Sequence, residues 1–516
     1  PWEQSAPPVS APRAKPEPKP VHDDVPPWEQ PAPPVSAPKA KPEPKPVHDD
    51  VPPWEPPETV PAPIPDSAPE PVPKSEHEPE PIPEPVSAPA PEAAPAEAGT
   101  FDWQALCAYM EHELPIGLYN LLLDPLQAAG ELSDGTLTLH LNVTERTLPA
   151  PSEWAYHLDL WQHPAAVARV EGVPVWSDEH FERMRPTMQQ LADAGQKVIT
   201  ATLNKEPWNN QCYDAYADMI VWTRLADGTW EYDFTVFDRW VEFMLELGIG
   251  KYINCYSMLP WNNMLHYKDA VTGEFVDVKA DPGTPAFREM WSPFLPAFAD
   301  HLRRKGWLDI TNIAMDERSP EVMAEATALL KEVAPELGIA LADNHKIFKQ
   351  YPYIKDMCAS IFGPIEQTDI VQRRSKGLTT TFYVCCSSGF PNTYTSSAPA
   401  EATYLSWYAA AEDYDGFLRW AYNSWVEDPI RDSRFRTWAA GDTYLVYPEG
   451  RSSIRFERLV EGIQDWEKIR LLKTEFSGDE AKLQTLHNLL EPFRSSVAFD
   501  GWEQTLRNAR ATLNTL

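Results

Sequence analysis

Between residues 151 and 430 the chain alternates short β-rich runs with longer stretches of helical period. Eight runs read as strands: 154–160, 197–203, 251–256, 311–315, 339–342, 357–361, 379–385 and 416–422. Most are separated by apolar residues at helical spacing, as at 181–194, 234–247, 286–305, 321–333 and 400–412. Strands joined through helices run parallel, because a tight hairpin can join only antiparallel neighbours. Eight such units suffice to close a sheet on itself. The pattern predicts an α/β fold, a (β/α)8 TIM-like barrel, with its reactive face at the C-terminal ends of the strands.

The flanking segments obey other rules. Of the 55 prolines, 33 lie in residues 1–100 beside a single glycine, Gly99. Residues 1–26 recur almost unchanged at 27–52, and a third copy begins at Pro53-Trp54-Glu55. Each unit offers one tryptophan and a few valines, too little to bury a face, while proline removes backbone donors. Residues 1–98 are therefore expected to be a disordered, polyproline-type spacer. The alternative is a docking strip in which the repeated VPPWE motif engages a peptide-binding partner. Residues 99–150 read as a small α+β segment, with a helical spacing from Leu106 to Leu122 and an alternating strand at 136–141 after Asp134-Gly135. Residues 431–516 read as a helical C-terminal region, with one apolar stripe at Ile454, Leu459, Ile463, Trp466, Ile469 and Leu472 and further helices at 483–490 and 502–513.

A net charge of −33 repels phosphate backbones and argues against nucleic-acid binding by the barrel. No apolar run approaches the length that spans a membrane as a helix. The six cysteines (Cys107, Cys212, Cys255, Cys358, Cys385 and Cys386) include no Cys-x-x-Cys pair, which argues against a zinc site. The chain opens at Pro1-Trp2 without an initiator Met, the form of a fragment or a processed chain, so its compartment, cytoplasm or export, stays undecided.

The predicted strand ends gather aromatic and hydrogen-bonding groups. His157, Asp159 and Trp161 share one face of strand one by period two, with Gln162 next. Trp261 follows strand three, in a long stretch, 260–281, that reads as a loop on the active-site rim; Asn344 follows strand five and Tyr383 lies in strand seven. Strand eight leads through Trp420, Tyr422, Asn423 and Trp425. Apolar sugar faces stack on such rings while Asn, Asp and His satisfy hydroxyls, so the lining suits a carbohydrate. Against this, any single Trp reads equally well as core. The chemistry-bearing candidates are Asp316 and Glu317, two carboxyls delivered by a strand otherwise apolar on both faces, with Arg318 beside them. Adjacent side chains diverge in a straight strand, so both can serve one cavity only where the strand gives way to a loop. An ion pair with Arg318 is the competing reading.

The segments LPAPSEWAYHLDLWQHP, LADAGQKVITATLNKEPWNNQ, INCYSMLPW, IAMDER, DGFLRWAYNSW and YLVYPEGRSSIRFERLVEGIQDWEKI resemble glycoside hydrolase family 123, the β-N-acetylgalactosaminidases. They run in order from about Arg146 to Leu472, and the resemblance is taken over about 146–516. It implies a catalytic barrel, retaining and substrate-assisted hydrolysis of a carbohydrate substrate, and no metal or organic cofactor. The family's adjacent Asp-Glu pair falls on Asp316 and Glu317. Asp316 would then orient the acetamido group of the sugar, and Glu317 would act as acid and base; Arg318 would fix the loop. A β-N-acetylglucosaminidase with the same pair is the near alternative. The family usually carries a sizeable β-sandwich before the barrel, where this chain has only the 136–142 strand and a short linker. Separately, the DDVPPWE repeats and residues 101–142 resemble the linker and tail of the bacterial DNA polymerase III tau subunit. That resemblance implies a rival of another class, an interaction protein fused to an inactive barrel. The tau ATPase core, with its Gly-rich phosphate loop, has no counterpart here.

Overall fold

The computed structural model describes residues 146–516. The readings of the Pro-rich tail, and of the helix and strand assigned to the α+β segment, fall outside those residues.

Twelve strands form among the described residues. They are β1 His157–Leu160, β2 Val198–Thr202, β3 Val221–Arg224, β4 Trp230–Asp233, β5 Tyr252–Tyr256 and β6 Met264–Asp269. The remainder are β7 Phe275–Lys279, β8 Thr311–Asp316, β9 Gly338–Asp343, β10 Asp356–Ser360, β11 Thr379–Tyr383 and β12 Gly416–Arg419. Eight of them, in the order β1-β12-β11-β10-β9-β8-β5-β2, build one sheet whose neighbours are all parallel. This is the (β/α)8 barrel, and each strand lies within a predicted run or overlaps it. Strand one begins later than expected, at His157, and strand eight ends earlier, at Arg419.

Burial on both faces explains why these strands show no polar alternation. Outward residues such as Leu158, Leu160, Ile253, Ile313 and Met357 enter the main core under the helices, whereas Ala314, Ala340, Ala342, Cys358 and Leu418 join a second cluster inside the cylinder. Small inward residues let the strands close tightly. At Gly416 an added Cβ would sit 2.1 Å from the His157 carbonyl oxygen.

Closure between the two ends of the sheet uses side chains. β1 and β2 share one backbone bridge, Leu158 with Gln196, where Lys197 N donates to Leu158 O at 2.9 Å. Beyond it two amides replace the ladder. Gln196 Oε1 accepts from Leu160 N at 3.0 Å and its Nε2 donates to Val198 O at 2.8 Å. Gln162 Oε1 accepts from Thr200 N at 2.9 Å and its Nε2 donates to Val198 O at 3.2 Å.

The loops after β2 and β5 each carry a hairpin, and together these form a separate four-stranded sheet in the order β4-β3-β6-β7. Gly228 and Gly273 take φ of 85° and 78° at the two turns, a conformation that favours glycine. Residues 260–281, expected only as a long rim loop, are therefore half strand. Trp222 anchors this sheet to the barrel, stacked on Phe294 at 4.1 Å.

Helices Ile454–Glu475, Glu480–Leu490 and Trp502–Leu513 close the chain. Leu459, Ile463, Ile469 and Leu472 are buried as expected, but Ile454, in the first turn, is 41% exposed. Gly462 abuts the helix Pro399–Glu412: a Cβ there would meet the Thr403 carbonyl at 2.7 Å. No helix among the described residues is long and apolar enough to cross a membrane.

Candidate active site

β8 ends on Asp316, and the next residue breaks the strand. Glu317 takes φ of 45°, a left-handed conformation that costs a non-glycine residue about 1–3 kcal/mol, while its N–H still donates to Ala342 O at 2.9 Å. This turn resolves the divergence of adjacent side chains. Asp316 Oδ2 accepts from the Trp208 indole N–H at 3.0 Å, and Glu317 Oε1 accepts from the Tyr383 hydroxyl. Tyr383 lies in β11, and Asp316 also contributes to the field at its hydroxyl. Both carboxyls thus address one region at the C-terminal mouth of the barrel. Asp316 is 9% exposed; Glu317 is half-buried.

Aromatic rings make the walls. Trp161, Trp208 and Tyr256 form a triangle with centroid separations of 5.0, 4.6 and 5.1 Å. Trp261, Tyr383 and Trp420 pack against the same cluster. Burial in this setting, with the charge of Glu317 beside it, pushes the Asp316 carboxyl well above the ordinary carboxylate range. The indole donors of Trp208 and Trp261 and the Arg318 guanidinium pull the other way. Two carboxyls in one apolar mouth disfavour each other's ionisation, and Asp316 is held toward its neutral form. Chemically, that offers one acid and one carboxylate side by side. Arg318 donates to Trp261 O at 3.4 Å and Asn263 Oδ1 at 3.2 Å, holding the loop that carries Trp261.

The structure brings together Asp316, Glu317, Trp161, Trp261, Tyr383 and Trp420 of the sequence candidates. Asn344 is exposed on the same rim, just beyond β9. The rest are placed elsewhere. Gln162 closes the barrel seam. Tyr422 is buried, its hydroxyl donating to Thr187 O at 2.9 Å in the helix Asp178–Asp193. Asn423 clamps the backbone of His163, accepting from its N–H at 2.9 Å and donating to its carbonyl at 3.1 Å. Trp425 is core, its indole donating to Val446 O at 2.7 Å. These three follow the end of β12, so strand periodicity no longer governs where they point.

His157 and Asp159 point inward but lie below the mouth. His157, the first residue of β1, contacts Asp356 Oδ2 at 3.3 Å through Nε2, and Lys251 Nζ lies 3.2 Å from its Nδ1. An ammonium can only donate, so Nδ1 accepts and Nε2 carries the hydrogen given to Asp356. Burial holds the imidazole below its usual value, consistent with a neutral ring between the two charges. Asp159 is 1% exposed, and neither oxygen has a hydrogen-bond partner among the described residues. Burial first, and then the charge of Asp356, push it well up.

Trp208 is the member that sequence reasoning passed over. It stands five residues beyond the strand read at 197–203, as far as Trp261 stands beyond the strand read at 251–256, so distance from a strand end does not separate the two. The 4.7 Å contact with Tyr216 and the bond from Trp208 N to Glu206 Oε1 at 2.8 Å fold that loop back over the mouth.

The family model described as glycoside hydrolase 123, catalytic domain, matches residues 161–472. Among solved structures, a family 123 glycoside hydrolase from Clostridium perfringens, studied for glycolipid glycan hydrolysis, is similar to this chain. Its identity is 29%, its TM-score 0.66, and the match covers 72% of this chain and 71% of that one. An exo-β-1,4-mannosidase from an Opitutaceae bacterium aligns at 13% identity over 61% of this chain and 60% of its own, with a TM-score of 0.32; a likeness that faint carries no argument. No curated protein matches the chain.

Proposed function

The chain belongs to glycoside hydrolase family 123, and on that premise we propose that this glycosidase is a retaining, exo-acting β-N-acetylgalactosaminidase. It removes terminal N-acetylgalactosamine from glycans or glycolipids by substrate-assisted catalysis. The observation that carries the reading is the convergence of Asp316 and Glu317 on one aromatic mouth, made possible by the left-handed backbone at Glu317. The similar Clostridium perfringens enzyme supports glycolipid glycans as the substrate class.

In the first step the acetamido carbonyl oxygen of the sugar attacks its own anomeric carbon, and the bond to the leaving oxygen breaks. Asp316 accepts the acetamido N–H, which aims the carbonyl and stabilises the growing oxazolinium charge. Glu317 gives its proton to the leaving oxygen. Water then enters on the face the leaving group vacated, Glu317 takes its proton, and the acetamido group is restored with the original anomeric configuration. The spacing rule for paired glycosidase carboxyls does not apply to such substrate-assisted families.

Proton placement follows from the surroundings. Burial and the neighbouring Glu317 charge disfavour charge on Asp316. Donors from Trp208 and Trp261, joined by the N–H of a bound sugar, favour its carboxylate and leave the proton on Glu317. Tyr383 orients that acid by donating to Oε1. The rings of Trp161, Trp208 and Tyr256 enclose the acetamido methyl and the apolar sugar face.

Aryl β-N-acetylgalactosaminides and the matching glucosaminides test the reading, with the anomer of the first product followed by NMR. Cleavage of the galactosaminide with the β-anomer appearing first is expected. An α-anomer as first product, or equal cleavage of an aryl galactoside lacking the acetamido group, overturns the proposal. Preference for the glucosaminide would select the near alternative.

A further inference from the structure

Just past β11 the chain carries two adjacent thiols that hydrolysis does not use. Cys212, Cys255 and Cys358 are buried, whereas Cys385 and Cys386 are partly exposed. Cys385 follows Tyr383 by two residues and packs against the cluster that walls the mouth, and the charge of Glu317 contributes to the field at its sulfur. Its backbone is fixed: its N–H donates to Ser388 Oγ at 3.2 Å, and its carbonyl accepts from the Tyr394 hydroxyl at 2.6 Å and Asn392 Nδ2 at 3.2 Å. Ser387 Oγ lies 3.1 Å from the Cys385 sulfur, and the neighbouring Cys386 thiol and Ser387 favour the Cys385 thiolate. Nucleophilic thiols need both thiolate character and access. Among the described cysteines, Cys385 combines the two.

We propose that Cys385 is a modification site for low-molecular-weight disulfides, and that an adduct there closes the hydrolytic mouth. The Cys385 thiolate attacks one sulfur of a small disulfide; a mixed disulfide forms as the reagent's own S–S bond breaks. The departing thiolate takes a proton from water, so the Cys385 sulfur is oxidised and the departing sulfur reduced. Cys386 does not displace the adduct. Its Cα lies about 3.8 Å from that of Cys385 across a trans peptide, short of the roughly 4.4–6.8 Å that a disulfide needs. The mixed disulfide accumulates and a thiol reductant reverses it. The labelling stands on the thiol geometry alone; the loss of hydrolysis rests on the proposed function.

The test treats the full chain with oxidised glutathione or dithiodipyridine at neutral pH and follows peptide masses and aryl-glycoside hydrolysis together. One adduct is expected on Cys385, forming about tenfold or more faster than on Cys212, Cys255 or Cys358. Most hydrolysis should be lost with it and return with dithiothreitol. Cys385→Ala should lack the fast adduct and stay active in the reagent; Cys386→Ala should still gain a single adduct on Cys385. Fast labelling that survives Cys385→Ala, two thiols lost with no gain in mass, or a Cys385 adduct that leaves hydrolysis intact overturns the proposal. Were the untreated chain inactive on aryl glycosides, the hydrolytic reading would fail while the labelling rates still judged the thiol.

Discussion

The Trp208 indole donates to Asp316 Oδ2 at 3.0 Å, from a loop that the small second sheet follows in sequence. A group outside the barrel strands therefore favours the ionised form of a residue at the end of one, against the burial that favours its neutral form. The donor opposes, without reversing, the upward push of burial and the nearby Glu317 charge.

Trp208→Phe keeps the ring and removes the donor. A hydrogen bond to a charged group is worth about 1.5–3 kcal/mol, so kcat/KM should fall about 10- to 100-fold. Losing the donor raises Asp316 further. Because the proposed reaction needs Asp316 ionised, the acidic limb of the pH–rate profile should move to higher pH. A drop in rate with an unmoved limb would show that Trp208 only fills space.

Gln162 offers a test of placement. Its amide bonds Thr200 N and Val198 O across the barrel seam, so Gln162→Ala strands buried backbone groups at about 1–3 kcal/mol each. Denaturant midpoints should fall, while kcat and KM per folded molecule stay near wild type. A raised KM at unchanged stability would return Gln162 to the substrate.

Asp159 makes stability depend on pH. Its folded-state value is raised above the ordinary 3.8. Above that value the folded chain keeps a proton that the unfolded chain releases, and stability falls as pH rises. Asp159→Asn is neutral throughout. Its melting temperature relative to wild type should therefore climb from about pH 4 to about pH 8. A difference that stays flat with pH, or narrows, would contradict the assignment.

How much was legible in the sequence depended on whether periodicity still operated. All eight barrel strands could be placed because residues such as Ile253, Ile313 and Met357 sit in runs too apolar for an exposed edge. The four-stranded sheet escaped although Asp227-Gly228 and Thr272-Gly273 are hairpin signals in plain sight, because residues 260–281 were read as rim loop and no strand was read at 221–233. That Asp316 and Glu317 could converge was foreseeable because their place at a strand end, rather than their acidity, sets them apart from another adjacent pair, Asp178-Glu179, in the first turn of a helix. Tyr422, Asn423 and Trp425 were drawn into the site by extending strand eight past Arg419. Trp208 was passed over for the converse reason: its approach to Asp316 depends on tertiary folding of a loop, which no spacing encodes.

Glu317→Gln, assayed beside Asp316→Asn over aryl β-N-acetylgalactosaminides of graded leaving-group acidity, tests the two-carboxyl account most directly. Glu317→Gln should be slow on poor leaving groups and near wild type on good ones, which need little protonation. Asp316→Asn should be slow on all of them. Equal losses across the series for Glu317→Gln, or an Asp316→Asn enzyme that keeps its rate, would contradict the account.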